Sequence, residues 1–191
     1  MIHLIGPGGA GKSTTGPFVA ELLGCLFRDL DRLFEERHGN IDDFIALNGY
    51  SAYARRNVET YEDIEPSLPA VLAVSSGFMT YPDVAHPRLP AIRRSIATMS
   101  TTVVLLPSLD LEACVAETLR RQRARPLAQH RTDAREEQVI RERFPAYVAL
   151  AARKVTTMRP VAGIAAEIGA AIGDVIGWRP GQQWQTRYRA E

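Results

Sequence analysis

The amino-terminal stretch IHLIGPGGAGKSTTG, residues 2–16, decides the fold class of this chain. Residues 2–5 predict a short buried strand, and the segment from Lys12 to Gly24 has the apolar spacing of a helix. Between them, residues 6–13 match the spacing G-x-x-x-x-G-K-[ST], which belongs to a loop between a strand and a helix. The stretch therefore predicts a phosphate-binding loop near the start of an α/β domain.

The residue types in this loop suit the binding of phosphate groups. Glycines let the backbone curl so that successive N–H groups point at phosphate oxygens, and the following helix adds the positive end of its dipole. In such a loop Lys12 reaches the β and γ phosphates, and the Ser13 hydroxyl binds Mg²⁺. We therefore predict that the loop binds a nucleoside triphosphate with Mg²⁺; an accidental glycine-rich turn is the alternative. The expected nucleotide contacts are Gly6, Gly8, Gly9, Ala10, Gly11, Lys12, Ser13 and Thr14.

The composition is that of an ordinary globular protein. Of 191 residues 46% are hydrophobic, and 23 basic against 22 acidic residues give a formal net charge of +1. This balance argues against nucleic acid or an anionic membrane as the main partner, and no apolar run approaches the ~20 residues that cross a bilayer. Cys25 and Cys114 are too far apart in sequence to suggest a metal cluster or a disulfide framework. We expect a cytoplasmic protein.

Strand-like and helix-like segments alternate along most of the chain. This alternation predicts an α/β fold, with a parallel sheet of about five strands and helices on both faces. The expected strands are 2–5, 25–28, 70–74, 101–106 and 154–157; the expected helices are 12–24, 32–65 with breaks near Gly39 and Gly49, 88–98, 110–123, 134–153 and 161–176. Pro145 is expected to break or kink the helix over 134–153. We predict one domain over 1–177 with a mobile lid at about 120–133, followed by a polar, basic and aromatic tail over 178–191.

Two carboxylates follow the second predicted strand. Asp29 and Asp31 lie at positions i and i+2 near the carboxyl end of that strand, where ligands of open α/β sheets bind. One carboxylate can hold Mg²⁺ through water, and the other can hydrogen-bond the hydroxyl that attacks the phosphate. A solvated acidic turn or a helix cap is the alternative, because Arg28 and Arg32 stand beside them.

The chain resembles the shikimate kinases over about residues 2–172. The resemblance begins with GPGGAGKSTTGPFVAELLGCLFRDLDRLFEERHG, residues 6–39, which combines the loop, the first helix and an Asp-x-Asp strand end. It continues in the family's order with GYSAY, VSSGFMTYP, RARPL and RERFPAY, which start at residues 49, 74, 123 and 141. Nucleoside kinases and gluconate kinases share parts of the first segment. The resemblance implies a three-layer P-loop fold that transfers the γ-phosphate of ATP to a hydroxyl group of a small acceptor.

An arginine-rich stretch, LRRQRARPLAQHR at residues 119–131, lies between two predicted helices. By the resemblance Arg125 matches the lid arginine, and a mobile arginine can close over ATP and stabilise charge on the transferred group. Arg120 or Arg121 could stack on the adenine, and we predict Arg121 and Arg125 as nucleotide contacts. A solvated basic face is the alternative for the whole stretch.

The resemblance also assigns the acceptor side. It gives Asp29 the metal role and Asp31 the role of aligning the attacking hydroxyl. Arg143, in RFPAY, matches the arginine that grips the substrate carboxylate, a task that suits a bidentate guanidinium; a surface helix arginine is the alternative. The implied catalytic residues are Lys12, Asp31 and Arg125, and the implied substrate residues are Asp31, Tyr53, Arg55, Ser76, Gly77 and Arg143.

Four departures from the family pattern fall on the acceptor side, whereas the nucleotide side is intact. Tyr53 stands at the family's phenylalanine, but Ala54 stands at the next arginine and Asn57 at the glutamate three residues later. The family's Gly-Gly-Gly is replaced by the Ser-Ser-Gly of residues 75–77, and the glutamate of Gly-Glu is replaced by Tyr50. Loss of an arginine together with its carboxylate partner indicates that one subsite has been rebuilt.

The predicted function is ATP-dependent phosphorylation of shikimate or a related carboxylated polyol, which would belong to aromatic amino acid biosynthesis. Arg55 or Arg56 would need a local shift to replace the missing arginine, because neighbours on a helix point about 100° apart. A kinase for another acceptor, such as a sugar acid or a cyclitol, is one alternative. A non-catalytic ATP-binding regulator that contacts a partner through residues 178–188 is another. We expect a monomer, with a dimer as the alternative.

Overall fold

The computed structural model describes residues 1–65, 69–124 and 133–177. The strands are β1 Ile2–Ile5, β2 Leu26–Asp29, β3 Ala70–Ala73, β4 Thr102–Leu106 and β5 Arg153–Thr156. The helices are α1 Lys12–Leu23, α2 Leu30–His38, α3 Ile41–Asn48, α4 Tyr50–Glu62, α5 Leu89–Thr98, α6 Leu111–Arg123, α7 Asp133–Ala149 and α8 Val161–Ile176. Short 3₁₀ turns over Phe78–Thr80 and Asp83–Ala85 lie between β3 and α5.

The five described strands form one parallel sheet in the order β2-β3-β1-β4-β5. Leu4 of β1 is paired with Ala73 of β3 on one side and with Val103 of β4 on the other. The chain therefore changes direction across the sheet at β1, and such a switch point opens a crevice at the carboxyl edge where ligands bind. The predicted parallel sheet of about five strands is confirmed.

Helices cover both faces of the sheet. Along β4, Val104 and Leu106 are buried against the layer formed by α2–α7, whereas Val103 and Leu105 face α1 and α8. Strand side chains alternate between the two faces, and because both faces are covered residues 103–106 are all apolar. The three-layer α/β fold predicted from the sequence is confirmed.

The helical region after β2 begins earlier than predicted. The break positions are as expected, since Gly39 and Gly49 have φ values of +81° and +85° and end α2 and α3. However, α2 starts at Leu30 rather than at Arg32, because the Asp29 side chain caps it by accepting a hydrogen bond from the backbone N–H of Asp31 at 3.0 Å. Asp31 therefore lies in the first turn of a helix.

Of the break or kink predicted at Pro145, the break is wrong, because α7 continues through this residue to Ala149. A proline in a helix removes one backbone hydrogen bond. Here the neighbouring side chains Phe144 and Tyr147 are buried in the core and favour continuation of the helix. The helix ends before the predicted residue 153, because Arg153 begins β5.

Two predicted segments fall wholly or partly outside the described residues. Of the proposed lid at 120–133, residues 120–123 form the last turn of α6, and residues 125–132, with Arg125, lie outside the described part. The tail over 178–191 lies outside it as well. In the part that the structure covers, none of the helices combines the length and apolar character needed to cross a bilayer. Cys25 and Cys114 are free thiols.

Candidate active site

The loop between β1 and α1 fits closely against its neighbours. Gly6 has a φ of +146°, and a Cβ atom added there would lie 2.2 Å from the backbone oxygen of Leu105 in β4. Gly9 has a φ of +73°, and its added Cβ would lie 2.9 Å from Cγ2 of Thr118 in α6. Residues with a side chain rarely adopt these backbone conformations, so glycine is required at both positions.

The start of α1 is suited to an anion. The helix begins at Lys12 after Gly11, whose φ is +94°, and no described side chain caps its first turn. Its N–H groups and the helix dipole therefore favour a phosphate. The largely buried Lys12 donates hydrogen bonds from Nζ to the carbonyl oxygens of Gly6 at 2.7 Å and Pro7 at 3.0 Å. These contacts hold the ammonium group over the loop.

A cavity of about 400 Å³ lies at the carboxyl edge of the sheet, in front of this loop. It brings together most of the residues predicted for the site. The predicted residues that line it are Gly8, Gly9, Ala10, Gly11, Lys12, Ser13, Thr14, Asp29, Asp31, Ser76 and Arg143. The nucleotide loop, both carboxylates and the acceptor arginine therefore share one cavity.

Ser13 and Asp29 are the predicted metal ligands, and both line this cavity. Asp29 is buried, and one of its oxygens, Oδ1, accepts the hydrogen bond that caps α2. Hydroxyl and carboxylate oxygens are the hard ligands that Mg²⁺ takes, with water and phosphate oxygens completing its shell. The donor set fits Mg²⁺. In the described part of the chain, no group of three or more His, Cys, Asp or Glu side chains forms a separate metal site.

The Asp31 carboxylate is held by two hydroxyl groups. Its Oδ1 accepts hydrogen bonds from Ser75 Oγ at 2.5 Å and from the Tyr53 hydroxyl at 3.4 Å. Burial raises the pKa of Asp31, and the charge of Asp29 adds to the increase. The Ser75 hydrogen bond and the charge of Lys12 act in the opposite direction and lower the pKa. The carboxylate is thus positioned, and its basicity is increased by its surroundings.

Arg143 projects from α7 into the same cavity. It donates hydrogen bonds from Nη2 to the Tyr50 hydroxyl at 2.9 Å and from Nη1 to Ser76 Oγ at 3.4 Å. Tyr147, one helical turn further along α7, donates to the backbone oxygen of Ser76 at 2.8 Å. The loop after β3 and α7 are therefore joined around a guanidinium group that can bind a carboxylate.

Gly77, Tyr53 and Arg55 were also predicted for the substrate, but none of them is among the residues that line the cavity. A Cβ added at Gly77 would lie 2.6 Å from both the Tyr50 hydroxyl and Tyr81 Cε1, so these rings cover the glycine. Tyr53 is buried and reaches Asp31. Arg55 is exposed and pairs with Glu59 at 3.2 Å. Tyr53 and Gly77 therefore lie next to residues that line the cavity, whereas Arg55 does not.

Arg121, which was predicted to contact the nucleotide, holds the phosphate loop in place through a hydrogen bond to its backbone. It donates from Nη1 to the carbonyl oxygen of Gly9 at 3.0 Å and to Thr157 Oγ1 at 2.9 Å, and from Nη2 to the Thr157 carbonyl at 2.7 Å. Its Nε donates to Glu117 at 2.6 Å. With these contacts Arg121 ties α6 to the loop and to the end of β5. Arg120 instead forms a pair with Glu117 on the exposed side of the helix.

Several residues of the cavity were not found from the sequence. Gln122 Nε2 donates to Glu136 Oε2 at 2.9 Å and lies 3.1 Å from where a Cβ on Gly8 would be. Arg123 pairs with Asp133 at 2.5 Å, so that α6 and α7 meet beside the loop. The arginine-rich stretch of the sequence includes Arg123 and was the signal that could have identified it. No motif identified Gln122.

Comparisons with known proteins agree with this geometry. The family model for shikimate kinase matches residues 8–172. A shikimate kinase of Legionella pneumophila is 33% identical over 152 residues, covering 78% of this chain and 81% of its own. One from Shewanella denitrificans is 34% identical over 153 residues, covering 78% and 82%. This chain belongs to the shikimate kinase family.

Solved shikimate kinases share the fold. The enzyme from Acinetobacter baumannii, solved in complex with shikimate, superposes with a TM-score of 0.67 at 24% identity and 92% coverage of each chain. The enzyme from Bacteroides thetaiotaomicron gives a TM-score of 0.68 at 21% identity, covering 92% of this chain and 97% of its own. At these identities the likeness shows a shared fold.

Two of the departures from the shikimate kinase pattern lie next to Asp31. Ala54 and Asn57 are fully buried on α4, and Ser75, just after β3, is also buried. Asn57 Nδ2 donates to Ser75 Oγ at 3.0 Å, and Ser75 Oγ donates to Asp31. Asn57 and Ser75 therefore join α4 to the end of β3 beside the Asp31 carboxylate.

Proposed function

We propose that this protein transfers the γ-phosphate of ATP to a hydroxyl group of shikimate or a related carboxylated polyol. The observation that carries the proposal is the shared cavity of the phosphate loop, Asp31 and Arg143. A carboxylate that can align a hydroxyl and a cation that can bind a carboxylate both face the loop. Membership of the shikimate kinase family supports the same activity.

On the nucleotide side, the loop and α1 bind the phosphates and Lys12 neutralises charge as the phosphoryl group moves. Lys12 is already held over the loop by Gly6 and Pro7, so little reorganisation is needed. Arg125 would add a second positive charge, as the family resemblance implies; it lies outside the described residues. Arg121 keeps the loop in place through Gly9.

Ser13 and Asp29 would hold Mg²⁺, directly or through water. The ion supplies positive charge that offsets the phosphate oxygens. Asp29 is rigid because its Oδ1 caps α2. This cap fixes Asp29 and Asp31 relative to each other, so the metal end and the acceptor end of the cavity keep their spacing.

On the acceptor side, Asp31 orients the attacking hydroxyl and takes its proton as the new bond to phosphorus forms. The raised pKa of Asp31 favours proton acceptance. Arg143 would bind the acceptor carboxylate and so place the ring or chain against Asp31. Arg55 and Arg56 both pair with Glu59 and neither lines the cavity, so neither of them takes the place of the family arginine at position 54. This specific difference favours a second candidate, a kinase for another carboxylated acceptor such as a sugar acid.

The proposal is tested by measuring ADP release with shikimate, gluconate and the uncharged cyclitol myo-inositol. We expect turnover with a carboxylated acceptor and little with myo-inositol. Lys12→Ala should abolish turnover, whereas Lys154→Ala is the matched control. Lys154 is the other lysine of the chain and lies in β5. It donates a hydrogen bond at 2.5 Å to the carbonyl oxygen of Leu150, which lies in the connection between α7 and β5. ATP binding without turnover of any acceptor would instead favour a non-catalytic regulator.

A further inference from the structure

The structure assigns a positioning role to Ser75, Asn57 and Tyr81, which form a one-directional chain of hydrogen bonds ending on Asp31. The role rests on the proposed function, in which Asp31 aligns the acceptor hydroxyl. The Tyr81 hydroxyl donates to Asn57 Oδ1 at 3.2 Å, Asn57 Nδ2 donates to Ser75 Oγ at 3.0 Å, and Ser75 Oγ donates to Asp31 Oδ1 at 2.5 Å. We call these three residues the donor chain.

The direction of the donor chain follows from its end point. An ionised carboxylate has no proton to give, so Ser75 must donate to Asp31. The Ser75 oxygen then accepts from Asn57, which must present its amide N–H₂ to Ser75 and its carbonyl to the Tyr81 hydroxyl. Each group has one compatible orientation, and hydrogen bonds linked in this way polarise one another.

Burial makes the donor chain rigid. Asn57 is 0% exposed, and Ser75 and Tyr81 are each 2% exposed. Its far end is also fixed, because Arg93 donates from Nη1 to the backbone oxygens of Tyr81 at 2.8 Å and Met79 at 3.2 Å. Leaving a buried polar group without its hydrogen-bond partner costs about 1–3 kcal/mol of stability. Each residue of the donor chain is therefore held in place by the residue to which it is bonded.

The donor chain fixes one oxygen of Asp31. Oδ1 accepts from Ser75 and from Tyr53, which both approach from the protein interior. The acceptor hydroxyl is therefore bound by Oδ2, and its position depends on how firmly Oδ1 is held.

The donor chain uses residues that depart from the shikimate kinase pattern. Asn57 stands where the family has glutamate, and Ser75 stands where it has the first glycine of Gly-Gly-Gly. A glycine at position 75 has no hydroxyl for Asp31, and an ionised glutamate at position 57 has no proton for Ser75. The two departures therefore depend on each other, which explains why they occur together.

The experiment compares Ser75→Ala, Ser75→Thr and Tyr81→Phe with the parent protein. We expect Ser75→Ala to lower kcat roughly tenfold to a hundredfold, as for loss of a hydrogen bond to a charged group, while the KM for MgATP changes little. Ser75→Thr should restore most of the lost kcat, because it keeps the hydroxyl, and Tyr81→Phe should lower kcat in the same direction by less.

Thr102→Val is the matched control. The Thr102 hydroxyl is also buried and donates to the Ile96 carbonyl at 2.6 Å, but it lies at the start of β4, on the opposite edge of the sheet. It should leave kcat unchanged. An unchanged kcat in Ser75→Ala, or a Ser75→Thr variant no better than Ser75→Ala, would overturn the role of the donor chain.

A second readout separates this role from the proposed function. The side-chain amide protons of Asn57, assigned with Asn57→Ala, can be followed by NMR hydrogen exchange without any turnover. The donor chain predicts faster exchange in Ser75→Ala than in the parent protein, because the amide loses the Ser75 oxygen that accepts from it, and equal rates would contradict it. If no acceptor is phosphorylated, the proposed function fails, and the exchange measurement still decides whether Asn57 is held through Ser75.

Discussion

The Arg143 guanidinium donates a hydrogen bond from Nη2 to the Tyr50 hydroxyl at 2.9 Å, which joins α7 to the first residue of α4. The pair covers Gly77, where an added Cβ would lie 2.6 Å from the Tyr50 hydroxyl and 3.2 Å from Arg143 Nη2. An acceptor carboxylate that binds Arg143 therefore does so beside a neutral phenol, without a competing acidic side chain at position 50. The cation is pre-positioned for an anionic acceptor.

Arg143→Ala should remove most of the preference for carboxylated acceptors. Loss of a charge-assisted contact of about 1.5–3 kcal/mol raises the KM roughly 10–150-fold. The KM for MgATP should remain close to that of the parent protein. The measurement is the KM of the acceptor that is turned over, together with that of an uncharged analogue.

Arg141→Ala is the control for Arg143→Ala, because Arg141 lies two residues away and pairs on the outside of α7 with Glu112 at 2.6 Å and Glu137 at 2.8 Å. It should leave the acceptor KM unchanged. Equal effects of the two substitutions would show that Arg143 acts only through the stability of α7.

The double variant Ala54→Arg with Asn57→Glu should separate acceptor binding from turnover. An arginine at position 54 paired with a glutamate at 57 adds a guanidinium beside the acceptor end of the cavity, so the KM for shikimate should fall. The same change removes the Asn57 donor to Ser75, so kcat should fall as well. Steady-state kinetics with shikimate provide the test, and an undiminished kcat would show that Asn57 does not support Asp31 through Ser75.

Arg121→Ala should weaken ATP binding and lower the melting temperature. The side chain ties the Gly9 carbonyl to Thr157, and its removal leaves these groups without their charged donor. We expect a rise in the Kd for ATP and a loss of stability of about 1–3 kcal/mol. Arg120→Ala is the control, since Arg120 is exposed and contacts Glu117 only on the helix surface. A lowered melting temperature with unchanged ATP affinity would limit Arg121 to a structural role.

Asp31→Asn should lose turnover and gain stability near neutral pH. The raised pKa of Asp31 means that the folded protein holds this proton more tightly than the unfolded chain does. Ionisation of Asp31 therefore opposes folding, and the loss of stability grows as pH rises from the ordinary aspartate pKa of 3.8 to the raised value. The amide of the Asp31→Asn variant cannot ionise. The variant should therefore be more stable than the parent protein by the largest amount above the raised pKa of Asp31, and the difference should disappear toward pH 4. Thermal melts of both proteins across this range give the comparison.

The nucleotide side could be predicted from the sequence because its chemistry is local. The P-loop contacts lie within one stretch of eight residues, 6–13, and the two carboxylates stand two positions apart. The strand before the loop and the helix after it follow from the same stretch. Local spacing also placed the breaks at Gly39 and Gly49, because glycine readily adopts the positive φ seen there.

The acceptor side could be predicted only in part, because its contacts join distant segments. Ser75 and Asp31 are 44 positions apart, and Arg143 and Tyr50 are 93 apart. The sequence showed that the residues at positions 54, 57 and 75 differ from the family pattern. Their contacts could not be predicted, because they depend on how α4 packs against the end of β3. Arg121 illustrates the same limit, since its four hydrogen bonds depend on the arrangement of α6 around the loop.

The central claim is that Asp31 directs phosphoryl transfer from ATP to a carboxylated acceptor bound at Arg143. The most direct measurement is mass spectrometry of shikimate and of gluconate, each incubated with MgATP and either the parent protein or Asp31→Asn. The account predicts a phosphorylated carboxylated acceptor with the parent protein and none above background with Asp31→Asn, although the variant should still bind ATP in a calorimetric titration. Equal product from both proteins would contradict the claim, as would ATP hydrolysis by the parent protein without phosphorylation of either acceptor.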